Sequence, residues 1–474
     1  MLKYFISKFL LIAFVLCAVF GCQSDEIKEK KPNVLFIAID DLNDWVGYLG
    51  GHPQAKTPNI DKLIKKGIGF TKAYTVAPQC NPSRVGLLTG LYPSNTGVYG
   101  NRNNFRKNLP AQITLMQYFK ANGYKTMGGG KIFHTNNGPG DSLSWDNYFV
   151  SKNHTSQSGR DANLPQVSTG AGSGFFNWGP IAVADEQMQD VRVVNWAKSE
   201  LEKPHDQPFF LACGFFRPHL PWYVPQKYFD RYPLDEIMLP KTLINDRDDL
   251  PEFGKRFARE RYSGSLGIDL NEGVQDHELV LQYDQWKKGV QAYLASISFV
   301  DDYVGSLLES LEKSDHANNT IIVLWGDHGW HLGEKQHWRK QALWEDTTHV
   351  PFIVSYPKKI KTNKICDAPV SFIDIYPTMI DLAGLPHKES LDGKSLIELL
   401  KDPEMEWNRP VRITYGKGNH AVRSGKWRYI QYRDGSNELY DHQSDPNEWY
   451  NLSGDDQFQN IIQKLKQHLP EIEK

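Results

Sequence analysis

The sequence predicts a doubly wound α/β sandwich with a large, mostly parallel central sheet and a smaller antiparallel sheet near its C-terminal end. Three observations carry this. Five short apolar runs end at turn residues: NVLFIAID (33–40), GYKTMGG (123–129), PFFLACGF (208–215), TIIVLWGD (320–327) and PFIVSY (351–356). Near-continuous runs of this kind leave no polar face, as expected of strands covered on both sides by helices. Helical periodicity lies between them, and alternation of strands with helices is the signature of an α/β sandwich. Finally, VRITYG, WRYIQYR and NELYDH alternate in the antiparallel manner and are separated by turns such as Asp434-Gly435.

The elements follow in chain order. The opening MLKYFISKFLLIAFVLCAVFGC places Lys3 and Lys8 before an apolar run from Phe9 to Phe20 that is short for a bilayer span. It reads as an export signal over 1–22, and its end, Val19-Phe20-Gly21-Cys22, resembles a bacterial lipobox. Cys22 is then the expected lipidated first residue, with 23–32 as a polar tether; an ordinary cleaved signal peptide or an uncleaved anchor is the alternative. The protein is expected at the bacterial envelope, on the outer membrane or cell surface or else in the periplasm, held to the membrane only through this lipid. Labelled lipid precursor should co-migrate with the protein, and no incorporation would exclude lipidation.

Thr57-Pro58 opens a helix through Ile60, Leu63 and Ile64 to Gly67, with Thr57 as the capping residue. Leu294, Ile297, Val300, Val304, Leu307, Leu308 and Leu311 mark one face of another. Asn153 to Gly179 is rich in Ser, Gly and Asn and reads as a loop insertion, and 235–285 reads as irregular and charged. The pattern changes after Leu385-Pro386, so the main α/β domain is placed at 33–385 and the C-terminal subdomain at 386–474.

Composition narrows the function. A net charge of −2 with 23% charged residues gives no basic field for nucleic acid. Of five cysteines, Cys17 and Cys22 belong to the signal, and three are too few for a disulfide scaffold. Cys213, inside an apolar run, reads as a buried small hydrophobe.

The chemistry lies at strand ends, where α/β sheets collect their sites. One strand ends in Asp40-Asp41 and another in Gly326-Asp327-His328. An aspartate pair alone is most often a turn or a helix cap. Three carboxylates brought together would repel unless a cation neutralised them. An oxygen-rich set with one imidazole suits calcium, magnesium or manganese. Lys131, His134, His219 and Lys340 recur on loops; each alone is unremarkable, but around a metal they would clamp a tetrahedral anion.

In QCNPSRVGLLTG, Cys80 sits at a predicted helix start with Arg84 one turn on, which would lower its thiol pKa and suit a thiolate nucleophile. A tyrosine-phosphatase loop needs arginine six residues after the cysteine, and that position is Gly86. The C-x-P-S-R spacing followed by LLTG instead resembles the signature of the sulfatase family. The resemblance runs from Asn33 to Pro351 and returns in ELYDHQSDPNEWYNL. It implies an alkaline-phosphatase-like fold and oxidation of Cys80 to formylglycine by a sulfatase-maturing enzyme. It also implies one calcium ion bound by Asp40, Asp41, Asp327, His328 and residue 80.

GKIFH at 130–134, RPHLPW, GDHGWHLGE and Trp338-Arg339-Lys340 look most like iduronate-2-sulfatases, whereas Asn81 departs from the family's commoner small residue. The expected mechanism has a hydroxyl of the formylglycine hydrate, held by the metal and Arg84, attack sulfur. Lys131, His219 and Lys340 bind the sulfuryl oxygens, His219 protonates the sugar oxygen, and His134 takes the proton that lets sulfate leave. The expected substrate is a sulfated glycan, either an algal ulvan or carrageenan type or a glycosaminoglycan uronate 2-sulfate. A phosphomonoester or phosphonate hydrolase of the same fold is one alternative, and a catalytically dead glycan-binding lipoprotein is the other.

Overall fold

The computed structural model describes residues 30–135, 138–151, 176–259 and 275–474. The signal with Cys22, and most of the insertion expected from Asn153, lie outside the described residues. Pro32–Lys474 packs as one compact unit.

All five predicted strands form, as β1 (Asn33–Ile39), β3 (Lys125–Gly130), β5 (Phe209–Phe215), β6 (Thr320–Gly326) and β7 (Phe352–Ser355). With the short β2 (Ile68–Phe70), β4 (Asn147–Phe149) and β8 (Lys364–Cys366) they make an eight-stranded sheet in the order β8-β2-β7-β6-β1-β5-β3-β4. β1 runs parallel to both β5 and β6. β7 is the antiparallel member, paired with β6 on one side and β2 on the other.

The two-sided burial inferred from the apolar runs is visible in β1. Leu35, Ile37 and Ile39 face a core shared with Val193 and Val194 of one helix and Leu294 and Ile297 of another. Val34, Phe36 and Ala38 face the opposite core, with Val85 and Leu88. Alternate side chains of a strand point to opposite faces, so a strand between two helical layers is apolar throughout.

Helix α1 (Pro58–Ile64) begins where Thr57-Pro58 predicts, with Thr57 at the cap position, but the Thr57 side chain does not cap it. Its hydroxyl accepts from the Gly47 amide at 2.8 Å, and the free amides of Asn59 and Ile60 are bound instead by the Asp301 carboxylate at 3.1 and 2.8 Å. Asp301 belongs to the long helix α4 (Trp286–Lys313), which follows α2 (Cys80–Thr89) and α3 (Gln189–Leu201) in the chain. Any acceptor aimed at the first amides can cap a helix, and here it comes from 242 residues away. Gly67 serves close packing, since a Cβ there would lie 2.2 Å from the Val354 carbonyl.

Two loop expectations are corrected. Trp178–Ile181, which begins in the last two residues of the expected insertion, forms a strand paired in parallel with Trp222–Pro225. Within 235–285, Glu252–Ala258 and Asp276–Gln282 are helical. Near the C-terminus an antiparallel sheet of β9 (Val411–Thr414), β10 (His420–Ser424), β11 (Trp427–Gln431) and β12 (Asn437–Asp441) forms in sequential order. β10 has no counterpart among the predicted segments. Among the described residues no helix is long and apolar enough to cross a membrane.

Candidate active site

The site is built at the carboxyl ends of the central strands. Asp40 and Asp41 follow β1, Lys131 follows β3, and Asp327 and His328 follow β6. His219 lies on the loop after β5, and Cys80 is the first residue of α2. Close backbone contact draws two of these loops together. Gly130 has φ +79°, and a Cβ on it would lie 1.9 Å from the Gly214 carbonyl, so only glycine lets Lys131 leave the sheet at this point.

Cys80 is fully buried at the centre. Its Sγ is 3.1 Å from Lys340 Nζ, 3.2 Å from His328 Nε2, and 3.9 Å from both Lys131 Nζ and Asp41 Oδ1. Burial alone would raise the thiol pKa, but the Lys131 and Lys340 cations outweigh it and the pKa falls.

Arg84, also fully buried, ties the acids together. Its Nε donates to Asp327 Oδ2 at 2.7 Å and its Nη2 to Asp40 Oδ1 at 3.0 Å. The remaining Nη1 donates to the Lys131 and Ile132 carbonyls. Lys131 also pairs with Asp40, and Lys340 Nζ lies 2.7 Å from Asp41 Oδ1. Burial opposes ionisation of Asp40, but Lys131 and Arg84 hold its pKa well below the usual carboxylate range. Asp41 differs: burial first, aided by repulsion from Asp40, pushes it up to about 7 despite Lys340.

Asp41 Oδ2 is buried without a hydrogen-bond partner, and the residue's backbone is held in the left-handed region at φ 58°. An orphaned, buried carboxylate oxygen among further carboxylates is the mark of a cation position. One donor atom from each of Asp40, Cys80, Asp327 and His328 falls within 4.8 Å of the others, as does one from each of Asp40, Asp41, Cys80 and His219. The residues therefore fit a hard divalent cation. For His328 burial works downward, but Asp327 and other negative neighbours prevail and hold it at about 9.

The two remaining histidines flank this centre. His219 Nδ1 is hydrogen-bonded to the Leu220 carbonyl at 2.6 Å, and Nε2 points toward Asp41 Oδ2 at 3.9 Å. Burial, then Lys131 and Lys340, depress its pKa well below the ordinary imidazole value. His134 has a buried Nδ1 without a partner, and burial with the Lys131 charge lowers it to about 3. Its electrostatic partners are Lys131, Asp40, Lys340 and Arg84, the groups of the same site.

All ten residues singled out at 40, 41, 80, 84, 131, 134, 219, 327, 328 and 340 thus belong to one electrostatic cluster. The profile of the family described as sulfatase matches residues 32–385, three quarters of the chain. The chain belongs to the sulfatase family. It is a sulfuric ester hydrolase, and a second profile, described as the C-terminal part of N-sulphoglucosamine sulphohydrolase, matches 333–474.

This sulfatase is 40% identical to a sulfatase of Formosa agariphila, over 95% of this chain and 89% of that one. It is 32% identical to human iduronate 2-sulfatase, over 82% and 71% respectively. The phosphonate monoester hydrolase of Agrobacterium radiobacter superposes with a TM-score of 0.74 at 21% identity, covering 92% of this chain and 96% of that one, which shows a shared fold.

Several residues that shape the site carried no sequence signal of that role. Tyr293 Oη, on α4, donates to the Asp41 carbonyl at 2.7 Å. Ser83 Oγ donates to the Asp327 carbonyl at 2.6 Å and accepts from Thr75 at 2.8 Å. Asn81 donates to the Gly100 and Asn103 carbonyls at 2.9 and 2.8 Å, fastening a neighbouring loop to the start of α2. Asp190 accepts from the Phe216 and Arg217 amides at 2.8 and 3.1 Å and braces the His219 loop.

Proposed function

We propose that this sulfatase removes sulfate esters from sulfated saccharides, using formylglycine made from Cys80 and one calcium ion. The observation that supports it best is the position of residue 80, where two lysines, an imidazole and an acidic cluster converge on one buried atom. Calcium, held by Asp40, Asp41, Asp327, His328 and residue 80, would supply positive charge beside the sulfuryl oxygens. Formylglycine would supply a hydrate hydroxyl as nucleophile, which an unmodified thiol does not.

The chain's own residues do the rest. Lys131 and Lys340 bind and orient the sulfuryl oxygens, and their charge opposes the negative charge that grows there. Both are more than nine-tenths buried, so water screens them weakly. Arg84 fixes the separation of Asp40 and Asp327. His134, held neutral by burial and the Lys131 charge and with Nδ1 unpartnered, is the candidate proton acceptor, with the anionic ester offsetting that charge. His219, one-fifth exposed at the rim, is the candidate donor to the departing sugar oxygen, with the anionic ester offsetting the cations that depress its pKa.

A saccharide substrate is supported by the iduronate-2-sulfatase-like motifs and by the human relative of that name. Uronate 2-sulfates and algal polysaccharides such as ulvan or carrageenan are its two forms, presented at the cell envelope if Cys22 is lipidated. A panel of paired sulfate and phosphate esters, graded by leaving group, tests the reading. Sulfate release should exceed phosphate release at matched leaving groups, and the reverse order would favour a phosphomonoester or phosphonate hydrolase. In the same panel His219→Ala should slow sugar-alcohol sulfates by about 100-fold while nearly sparing an activated phenyl sulfate. Equal losses would remove His219 as the acid.

A further inference from the structure

The stretch ELYDHQSDPNEWYNL takes no part in the chemistry above, yet three of its residues converge on the loop that carries Lys340. That loop, between Leu332 and Glu345, has an unusual backbone. Lys335, Gln336, Arg339 and Gln341 have φ of 51°, 50°, 114° and 78°, and none of them is glycine. Side chains disfavour this region, so such a conformation lasts only where the surroundings impose it.

Asp246 holds Lys335 and Asp276 holds Arg339 from one side, and the C-terminal sheet supplies the other side, at Lys335 and at the 343–348 end of the loop. Arg428, on β11 and fully buried, donates from Nη1 to the Leu343 carbonyl at 2.7 Å and from Nη2 to Thr348 Oγ1 at 3.0 Å and to Glu345. Its Nε lies 2.7 Å from Glu448 Oε1. Glu448 Oε2 in turn accepts the Glu345 amide at 2.8 Å, and its carbonyl accepts from buried Lys335. Glu438, on β12, accepts from Trp344 Nε1 at 2.8 Å. His442 Nε2 completes the group, 2.8 Å from Glu448 Oε1. Glu345, His442 and Glu448 lie close enough to share a cation, but the Arg428 guanidinium already contacts both carboxylates. The cluster is therefore a charge-balanced clamp rather than a second metal position.

We propose that Arg428, with Glu345 and Glu448, is a positioning residue that holds the 335–341 loop in its strained form and so sets Lys340 Nζ against residue 80 and Asp41. This rests on the reading of Lys340 as a sulfuryl-binding cation. The C-terminal sheet would then act at the centre without touching substrate. The C-terminal family profile begins at residue 333, at the start of this loop. Loop and sheet thus fall within one sequence unit.

The test uses the matured, metal-loaded enzyme in four forms: wild type, Arg428→Lys, Lys340→Met and the double variant. Lysine keeps the charge and loses the fork that reaches several acceptors at once. Arg428→Lys should lower kcat/KM for a sulfate ester by about 30-fold. In the Lys340→Met background the same change should cost under about threefold, because the group it positions is gone. Amide exchange over 335–344 should accelerate, with β1 and β6 unchanged.

A full additive loss in the double variant, or unaltered exchange over the loop, would overturn the proposal. Should Arg428→Lys fail to accumulate folded, Glu448→Gln takes its place in the same cycle, since it removes one charge of the clamp and keeps the shape. The exchange measurement needs no turnover, so it judges the clamp even if wild type releases no sulfate. A sulfate-active enzyme indifferent to Arg428→Lys would refute the clamp alone.

Discussion

Replacing Cys80 with alanine should reduce sulfate release by about 10⁴-fold or more, the scale seen when an enzyme loses its nucleophile. The fold should survive. Only one sulfur atom leaves a site whose other members keep their partners: Lys340 retains Asp41 at 2.7 Å, His328 retains Asp41 at 3.2 Å, and Arg84 retains both of its carboxylates. No charge is left unpaired, so the stability cost should be about 1 kcal/mol, near that of an ordinary small truncation. Sulfate release and thermal unfolding, measured on the same preparation, separate the two effects. Retained turnover would rule out residue 80 as the nucleophile. A collapse of the unfolding temperature would show that the thiol has a structural role these contacts do not suggest.

Arg84→Met should act in the opposite way and strike stability hardest. Arg84 is bound to Asp40, to Asp327 and to two carbonyls, all without access to water. Removing one partner of a buried charge pair costs about 3–5 kcal/mol, because the other charge stays buried and uncompensated. Asp40 keeps Lys131, whereas Asp327 Oδ2 loses its 2.7 Å partner. The expected result is an unfolding free energy from urea titration lowered by that amount, together with loss of turnover. Arg84→Lys should recover only part of it, since one ammonium cannot span two carboxylates and two carbonyls. A loss below about 1 kcal/mol would mean that the carboxylates are balanced by other groups and that Arg84 is not the tie between them.

Much of this was legible because it depends on local pattern. The five long strands announce themselves by being apolar on both faces, and the acidic and imidazole groups by standing where those strands end. What the pattern omits is direction and distance. PFIVSY reads as a buried strand, yet nothing within it tells that it runs antiparallel to β6, because orientation is decided by the connection. β10 escaped notice because HAVRS, set between Gly418-Asn419 and Gly425, lacks the polar–apolar alternation of its neighbours.

The cap of α1 comes from Asp301 and the brace on the Asp41 carbonyl from Tyr293, partners that only folding brings near. The same holds for Arg428, which in sequence is one more charged residue of an alternating strand. The candidate site was readable as a set of residue types. The scaffold that gives those residues their spacing was not, since each support is a residue that reaches its partners across the chain and belongs to no motif of its own.

The complete burial of Cys80 has a consequence for timing. If Cys80 is converted to formylglycine as proposed, a second protein that oxidises it would have to reach it before α2 docks against the sheet, in the interval between synthesis and closure of the core. On that reading, a molecule that folded with its thiol intact would stay inactive. The active fraction would then be decided once, by a race at the birth of each chain, and later changes around the finished protein could lower that fraction but not raise it.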